Sequence, residues 1–243
     1  MIDLTASLKF IASQFTRLNR SSLSGFIALT QNKKRIGKFL PKSAIILEAG
    51  AHKGMDTAAM AKRWPDAAIH AFEPVPALFD LLTKNTQQYP NVRRYQMALS
   101  DENGASTLYV SEGTSDASSS LLPPKDHLTI HPTVAFNRKI EVETMTLDAW
   151  AESNQIPRID FMWLDMQGME YRVLKQSRTI FPKVQLLYTE INLKENYKGT
   201  SLYPEYRQWL IESGMKPVAE YTYWNDMGNS LFARQLETKT NTE

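Results

Sequence analysis

The stretch AIILEAGAHKGMDT, residues 44–57, predicts the fold of this chain. Residues 44–47 are apolar and partly β-branched, which is typical of a buried strand, and residues 55–63 have the composition of a helix. Gly50 and Gly54 bracket the turn between them, where the backbone must bend tightly or approach a ligand. A strand, a glycine turn and a helix open a βαβ unit, and ligands of such sheets bind outside the carboxyl ends of the strands.

Glu48 distinguishes this turn from a dinucleotide-binding loop. The dinucleotide fingerprint has three glycines and places a pyrophosphate at a helix N-terminus, whereas this turn has two glycines preceded by an acid. A carboxylate disfavours a phosphate but suits a cationic ligand, such as the amino-acid part and sulfonium of S-adenosylmethionine. The stretch therefore predicts a nucleotide-type pocket between Glu48 and Gly54, with an ordinary structural turn as the alternative.

The composition of the whole chain favours one soluble α/β domain. The 243 residues are 42% hydrophobic and 22% charged, and they include no cysteine, which excludes disulfides and thiolate chemistry. No apolar run approaches the roughly 18 residues of a membrane span. The N-terminus lacks the continuous apolar core of a signal peptide, so a cytoplasmic location is the default expectation.

Residues 1–43 are predicted to form a helical cap that precedes the domain. They carry eight Lys or Arg against one acid, so the rest of the chain is slightly acidic, which argues against a nucleic-acid groove. An apolar stripe over residues 4–18 recurs at helical spacing and predicts docking onto the domain or onto a second copy, as a homodimer. Peripheral contact between the basic helix and a membrane is the alternative.

Acids end the strands that the pattern predicts for the central sheet. Short apolar runs at 44–47, 67–72, 159–164 and 184–189 read as core strands, with a further strand at 92–97. Because the carboxyl ends of parallel strands meet at one edge, acids that end several of them are expected to converge on one crevice. The four acids are Glu48, Glu73, Asp165 and Glu190. Glu73 follows the glycine turn by about 20 residues, where a carboxylate holds a ribose diol.

The segment 101–158 interrupts this alternation of strands and helices. Residues 106–110 and 139–144 alternate as strands and are expected to pair as a hairpin-like extension, with a polar loop at 111–120 between them. Thr146 is the predicted N-cap of a helix through Asn154. The predicted division is thus a cap at 1–43, a domain at 44–236 containing this insertion, and a disordered tail at 237–243.

The ordered motifs of the chain resemble the FkbM family of class I S-adenosylmethionine-dependent methyltransferases. No single motif is decisive, but together they span about residues 44–192 in the order of the family. The motifs are LEAGAHKG (47–54), AFEP (71–74), ALSDENG (98–104), SSSLL (118–122), TLDAW (146–150), DFMWLDMQGMEYRVL (160–174) and YTEIN (188–192).

This resemblance implies a Rossmann-like α/β fold with a seven-stranded, mostly parallel sheet, whose last strand is antiparallel, and helices on both faces. It also implies O-methylation of a sugar, glycan or other small hydroxylated metabolite. The methionine part of S-adenosylmethionine would lie on Glu48, Gly50, Ala51 and Gly54, the ribose on Glu73, and the adenine beside Ala98, Leu99 and Ser100. Asp165 would sit beside the methyl group. The chain departs from the family pattern DVEG, which here is DMQG at 165–168.

Methyl transfer to an oxygen requires the protein to align the acceptor hydroxyl with the methyl group and to remove the hydroxyl proton. A divalent cation such as Mg²⁺ is one device that would lower the hydroxyl pKa, and Asp165, Glu190 and Asn192 supply the oxygen ligands it prefers. A general base is the other, and His127 and His131 are candidates because they lie in the long insertion and histidine titrates near neutrality. Asp165 is the third predicted catalytic residue.

The sequence is also compatible with two other classes of protein. The spacing of strand, turn and acid also suits an NAD-dependent Rossmann oxidoreductase, although the third glycine is missing and Glu48 lies where a pyrophosphate would bind. A non-catalytic binding protein that keeps the methyltransferase fold is the second alternative, suggested by the basic N-terminal segment.

Overall fold

The computed structural model describes residues 40–222 and 225–234. The predicted cap at 1–43 and the predicted tail at 237–243 lie outside the described residues, apart from the last four positions of the cap. Within the described residues, no helix has the length and apolar character that crossing a bilayer requires.

Ten strands and six α-helices make up the described residues. The strands are β1 (Ile45–Ala49), β2 (Ala68–Phe72), β3 (Val92–Tyr95), β4 (Ala98–Ser100), β5 (Gly104–Gly113), β6 (Val134–Thr146), β7 (Ile159–Leu164), β8 (Val184–Asn192), β9 (Met215–Thr222) and β10 (Met227–Arg234). The helices are α1 (Met55–Arg63), α2 (Pro76–Thr86), α3 (His127–Ile130), α4 (Leu147–Ser153), α5 (Glu170–Gln176) and α6 (Tyr203–Glu212), and a 3₁₀ turn spans Phe181–Lys183.

Seven of the strands form the predicted Rossmann-like sheet, in the order β3-β2-β1-β7-β8-β10-β9. Strands β1, β2, β3, β7 and β8 pair in parallel, and β10 is antiparallel to both of its neighbours. The prediction of a mostly parallel sheet whose last strand is antiparallel is confirmed. The strand order reverses between β1 and β7, which is where doubly wound sheets bind their ligands.

The insertion forms a second, smaller sheet. Strands β5 and β6 pair antiparallel as predicted, over a longer range than the sequence pattern indicates. The sequence placed Ala98–Ser100 after the end of strand 92–97, whereas these three residues form β4, which pairs in parallel with β6. The strand predicted at 92–97 therefore ends at Tyr95, and the chain leaves the main sheet there.

Both faces of the main sheet are covered by apolar side chains. Along β1, Leu47 and Ala49 face one buried cluster, and Ile46 faces another, as the two-residue period of a strand requires. All six residues of β7 are buried, which explains its near-continuous apolar sequence. The helices supply the other halves of these clusters, for example Trp150 of α4 on one face and Met60 of α1 on the other.

Asp148, the acid of the motif TLDAW, has a structural role at the start of α4. Thr146 caps α4 as predicted, by accepting a hydrogen bond from the Ala149 backbone N–H. Two residues after Thr146, the Asp148 carboxylate accepts hydrogen bonds from the backbone N–H groups of residues 178–180 and from the Ser177 hydroxyl, at 2.7–3.2 Å. Partial burial opposes its charge, but these donors outweigh it and hold the pKa of Asp148 below the usual range.

The variant Asp148→Asn is expected to lower the free energy of unfolding by about 1–3 kcal/mol, because charge-assisted hydrogen bonds become neutral ones. A group with a lowered pKa stabilises the fold above its unfolded pKa. The deficit of the variant should therefore shrink as the pH falls below about 3.9, the ordinary aspartate value. Urea unfolding at several pH values measures it, with exposed Asp80→Asn as the control; equal midpoints for wild type and Asp148→Asn would refute this role.

Candidate functional site

An open cleft of about 1050 Å³, its mouth included, lies where the strand order reverses. Its walls come from the turn after β1, the end of β2, the residues before and within β4, the turn after β7 and the loop after β5. Five acidic side chains and one lysine line it. The predicted residues among its lining are Glu48, Gly50, Ala51, Glu73, Ala98, Leu99 and Asp165.

Gly50 allows the ends of β1 and β7 to come together. Its φ is +86°, and a Cβ at this position would lie 1.9 Å from the carbonyl oxygen of Asp165. The backbone N–H groups of Gly50 and Ala51 both donate to the carbonyl of Phe72, which ties the turn to the end of β2. Three strand ends are thereby fixed around the cleft, with Asp165 next to the glycine turn.

Gly54 and Ser100, both predicted to bind the cofactor, are not part of the cleft lining. Gly54 is the N-cap of α1 with a φ of +75°, and a Cβ there would lie 2.6 Å from a Leu82 methyl group. Its role is therefore to let α1 approach α2. Ser100 is buried at the end of β4, where its hydroxyl donates to Asp101.

Glu48 and Glu73 are almost fully buried on two sides of the glycine turn. Glu48 accepts a hydrogen bond from the Thr57 hydroxyl in the first turn of α1. Glu73 accepts backbone N–H groups of His52 at 2.8 Å and Val75 at 2.9 Å. Burial nevertheless dominates and raises the pKa of Glu73 to about 7.

Asp165 and Glu190 are bridged by a residue that the sequence pattern did not single out as functional. The amide nitrogen of Gln167 donates to Asp165 Oδ1 and to Glu190 Oε2, at 2.7 Å each. Glu190 is buried within β8 and does not line the cleft, which corrects the prediction that it ends the strand and opens into the crevice. Burial, followed by the negative charge of Asp165, raises the pKa of Glu190 well above its usual value.

Glu170 shapes the turn that carries Gln167. Its carboxylate accepts the backbone N–H groups of Met166 at 2.6 Å and Gly168 at 3.0 Å, and burial raises its pKa to about 7. The turn places Gln167 at a φ of +54°, which is uncommon for a residue other than glycine. The geometry that aims the Gln167 side chain between the two strands is therefore imposed by Glu170.

The loop that follows β5 closes one side of the cleft and is held there by side chains. Asp116 pairs with His52 at 2.9 Å and with Lys53 at 2.7 Å, and these contacts, that of Lys53 first, lower the pKa of Asp116. Because Lys53, the lysine of the cleft lining, is paired in this way, it offers little attraction to a phosphate. At the end of the loop, the Ser120 hydroxyl donates to the Gln167 carbonyl at 2.7 Å.

The two histidines predicted as general bases occupy different environments, and neither lines the cleft. His127 is buried in α3 beside Tyr197, and burial followed by the His131 charge lowers its pKa to about 4. The side chain of His131 is 26% exposed, and its Nε2 lies 3.1 Å from Oδ2 of the buried Asp226. Asp226 also accepts a hydrogen bond from the Asn196 amide at 2.9 Å.

The predicted metal ligands do not fit a divalent cation as they are placed. The amide N–H groups of Gln167 already bind one oxygen of Asp165 and one oxygen of Glu190. Asn192 turns its amide nitrogen, not its oxygen, toward Glu190, at 3.4 Å. Across residues 40–222 and 225–234, no group of three histidine or acidic side chains is arranged to hold a metal ion.

The fold and the cleft define a Rossmann-like α/β domain of the methyltransferase type, with an acidic ligand cleft at the strand-order reversal. The Methyltransferase FkbM domain matches residues 48–223, most of the described chain. This protein therefore belongs to the FkbM methyltransferase family, as its motifs predicted. The alternative of an NAD-dependent oxidoreductase does not agree with this membership.

Three curated relatives share this similarity. The 2-O-methyltransferase NoeI of Sinorhizobium fredii is 32% identical over 160 residues, which cover 64% of this chain and 66% of that protein. Methyltransferase 1 of Beauveria bassiana is 27% identical, covering 56% of this chain and 59% of the relative, and methyltransferase sdnD of Sordaria araneosa is 28% identical, covering 56% and 61%. The alignments thus span less than two thirds of the length of each relative.

Proposed function

We propose that this protein is an S-adenosylmethionine-dependent O-methyltransferase that acts on a hydroxyl of a sugar, glycan or other small hydroxylated metabolite. The observation that carries the proposal is the cleft itself, where Glu73 and Asp165 flank the Gly50 turn at the strand-order reversal. The name of one relative, 2-O-methyltransferase, supports oxygen as the methylated atom.

The residues present suit the chemistry of this cofactor. A cationic, hydroxylated ligand with a flat aromatic base needs acids on one side and an apolar wall on the other. Glu48 and Asp165 would face its amino-acid part, and Glu73 would accept hydrogen bonds from the ribose hydroxyls. Apolar residues would border the adenine, and the cleft supplies Phe72, Leu78, Met97, Ala98 and Leu99 there.

The bound cofactor supplies a methyl group already activated by its sulfonium charge, so the protein has to position an acceptor oxygen and move one proton. Asp165 lies in the cleft and accepts a hydrogen bond from the Gln167 amide, which would hold its carboxylate in one orientation beside the methyl group. The loop at 114–120, fixed by Asp116 and Ser120, would form the wall that faces the acceptor.

Of the three predicted catalytic residues, Asp165 lines the cleft and the two histidines do not, so Asp165 is the proposed proton acceptor. His131 lies outside the cleft, with its Nε2 3.1 Å from Oδ2 of Asp226. Asp226 is buried and accepts a hydrogen bond from the Asn196 amide, so this pair anchors the end of α3. His127 is a poorer candidate because burial and the neighbouring His131 disfavour its protonation.

S-adenosylhomocysteine is expected to bind the purified full-length protein in calorimetric titration, whereas NAD is not. Labelled cofactor with a panel of hydroxylated acceptors then detects transfer. Asp165→Ala should remove transfer while leaving the melting temperature of the ligand-free protein within a few degrees. Tight NAD binding without a response to S-adenosylhomocysteine would refute the proposal, and cofactor binding without transfer to any acceptor would favour the non-catalytic alternative.

The affinity for S-adenosylhomocysteine is expected to rise as the pH increases through about 7, the raised pKa of Glu73. Below that value the side chain is protonated and accepts hydroxyl hydrogen bonds poorly, so the affinity at pH 6 should be about tenfold weaker than at pH 8. Glu73→Gln should bind more weakly and lose this pH dependence. Exposed Glu141→Gln is the control, and an unchanged pH profile in Glu73→Gln would contradict this role.

Asp165→Asn is expected to lower the turnover number by about 10²–10⁴-fold, the usual contribution of a general base. His131→Gln should keep a turnover number close to that of the wild type, because His131 does not line the cleft. Steady-state kinetics with an identified acceptor measures both variants, and a loss of about 10²-fold or more in His131→Gln would make His131 the proton acceptor instead.

A further inference from the structure

Gln167 lies between the end of β7 and the neighbouring strand β8. Both its backbone conformation and its hydrogen-bond partners fix its position. It lies in the turn after β7 with a φ of +54°, and it is 7% exposed. Its carbonyl accepts the Ser120 hydroxyl, and its side-chain oxygen accepts the Tyr197 hydroxyl at 2.8 Å. The two polar atoms of its side-chain amide therefore have different partners. The oxygen faces a donor, and the nitrogen faces two carboxyl groups.

The orientation of the amide follows from these partners. The nitrogen lies 2.7 Å from Asp165 Oδ1 and 2.7 Å from Glu190 Oε2, and it carries two hydrogens, one for each oxygen. The reversed amide would place its oxygen against the Asp165 carboxylate, where two acceptors would repel each other. One amide group thus joins the end of β7 to β8.

A bridge between two carboxyl oxygens of adjacent strands is the place that a divalent cation would take. A cation cannot enter here unless the two N–H groups leave, since donors and a cation compete for the same oxygens. Resting on the function proposed above, we propose that Gln167 is a positioning residue that bridges Asp165 and Glu190 in place of a divalent cation, so that cofactor binding and turnover need no added metal.

The substitution Gln167→Glu would remove this bridge. In Gln167→Glu the side chain keeps its size but replaces the two donors with a third carboxylate, so three acids would face one another across the strand ends. Such a cluster has lost the two amide N–H donors, and a bound cation would offset its added negative charge. The variant should therefore gain a cation site that the wild-type chain lacks. Gln155 offers a matched control because it is exposed and shares a φ of +54°.

The experiment compares full-length wild type, Gln167→Glu and Gln155→Glu after treatment with a chelator and after addition of Mn²⁺. Electron paramagnetic resonance counts bound Mn²⁺, thermal denaturation reports stability, and calorimetry reports S-adenosylhomocysteine affinity. We expect about one Mn²⁺ bound per chain only in Gln167→Glu. In chelator its affinity for S-adenosylhomocysteine should fall at least tenfold and its melting temperature should drop, and Mn²⁺ should restore both.

Two results would overturn the inference. The first is a wild-type protein that loses cofactor binding or turnover in chelator and regains it with Mn²⁺. The second is a Gln167→Glu variant that binds no more Mn²⁺ than Gln155→Glu. Failure of the proposed function would look different, because no variant would bind S-adenosylhomocysteine, while the Mn²⁺ count and the melting temperatures would still test the bridge.

Discussion

The close approach of the ends of β1 and β7 determines where the other groups of the site lie. The Asp165 N–H donates to the Ala49 carbonyl at 2.9 Å, and the space for the Asp165 carbonyl exists because Gly50 has no Cβ. Any larger residue would have to separate the two strands at the point where the strand order reverses. Glu48 and Glu73 are in turn placed by the same backbone, since the glycine turn hydrogen-bonds to the end of β2. One missing methyl group thus sets the spacing between the carboxyl groups of the cleft.

The spacing of the strand ends brings several acidic side chains together in a largely buried region, and burial opposes their ionisation. The pKa values of Glu73, Glu170 and Glu190 rise as a result. Backbone and amide N–H groups face the carboxyl oxygens and partly offset the cost of burying them. Glu170 and Glu190 are satisfied internally, because the turn after β7 supplies their donors. Glu73 and Asp165 differ in that they line the open cleft, so a ligand that brings hydroxyl donors or positive charge completes their environment. These two acids disfavour a pyrophosphate in the same cleft.

Local sequence patterns predicted those elements whose limits are set by local chemistry. Helix Met55–Arg63 and strand Ile159–Leu164 have the predicted bounds, since a glycine turn and a buried apolar run define them. The break between β3 and β4 was missed because β4 exists only through its pairing with β6, a contact distant in sequence. Similarly, β8 continues through Glu190 to Asn192 because β10 pairs with it there. The Gln167 bridge could not be predicted, since it depends on a left-handed turn imposed by Glu170; the departure from the family pattern DVEG was the one available signal.

In the proposed function, selection of the acceptor would depend on how rigidly the loop at 114–120 is held against the cleft. Asp116 joins it to the glycine turn, the Ser118 carbonyl oxygen lies 2.8 Å from the Tyr197 hydroxyl, and Ser120 joins it to Gln167. The Ser120 anchor bonds to Gln167, whose side-chain amide also holds Asp165. An acceptor oxygen must lie within a few tenths of an ångström of its productive position for transfer to be fast. A loop fixed to the same groups that hold the carboxylates meets this requirement better than a free lid, because the two walls of the cleft cannot shift independently without breaking buried hydrogen bonds.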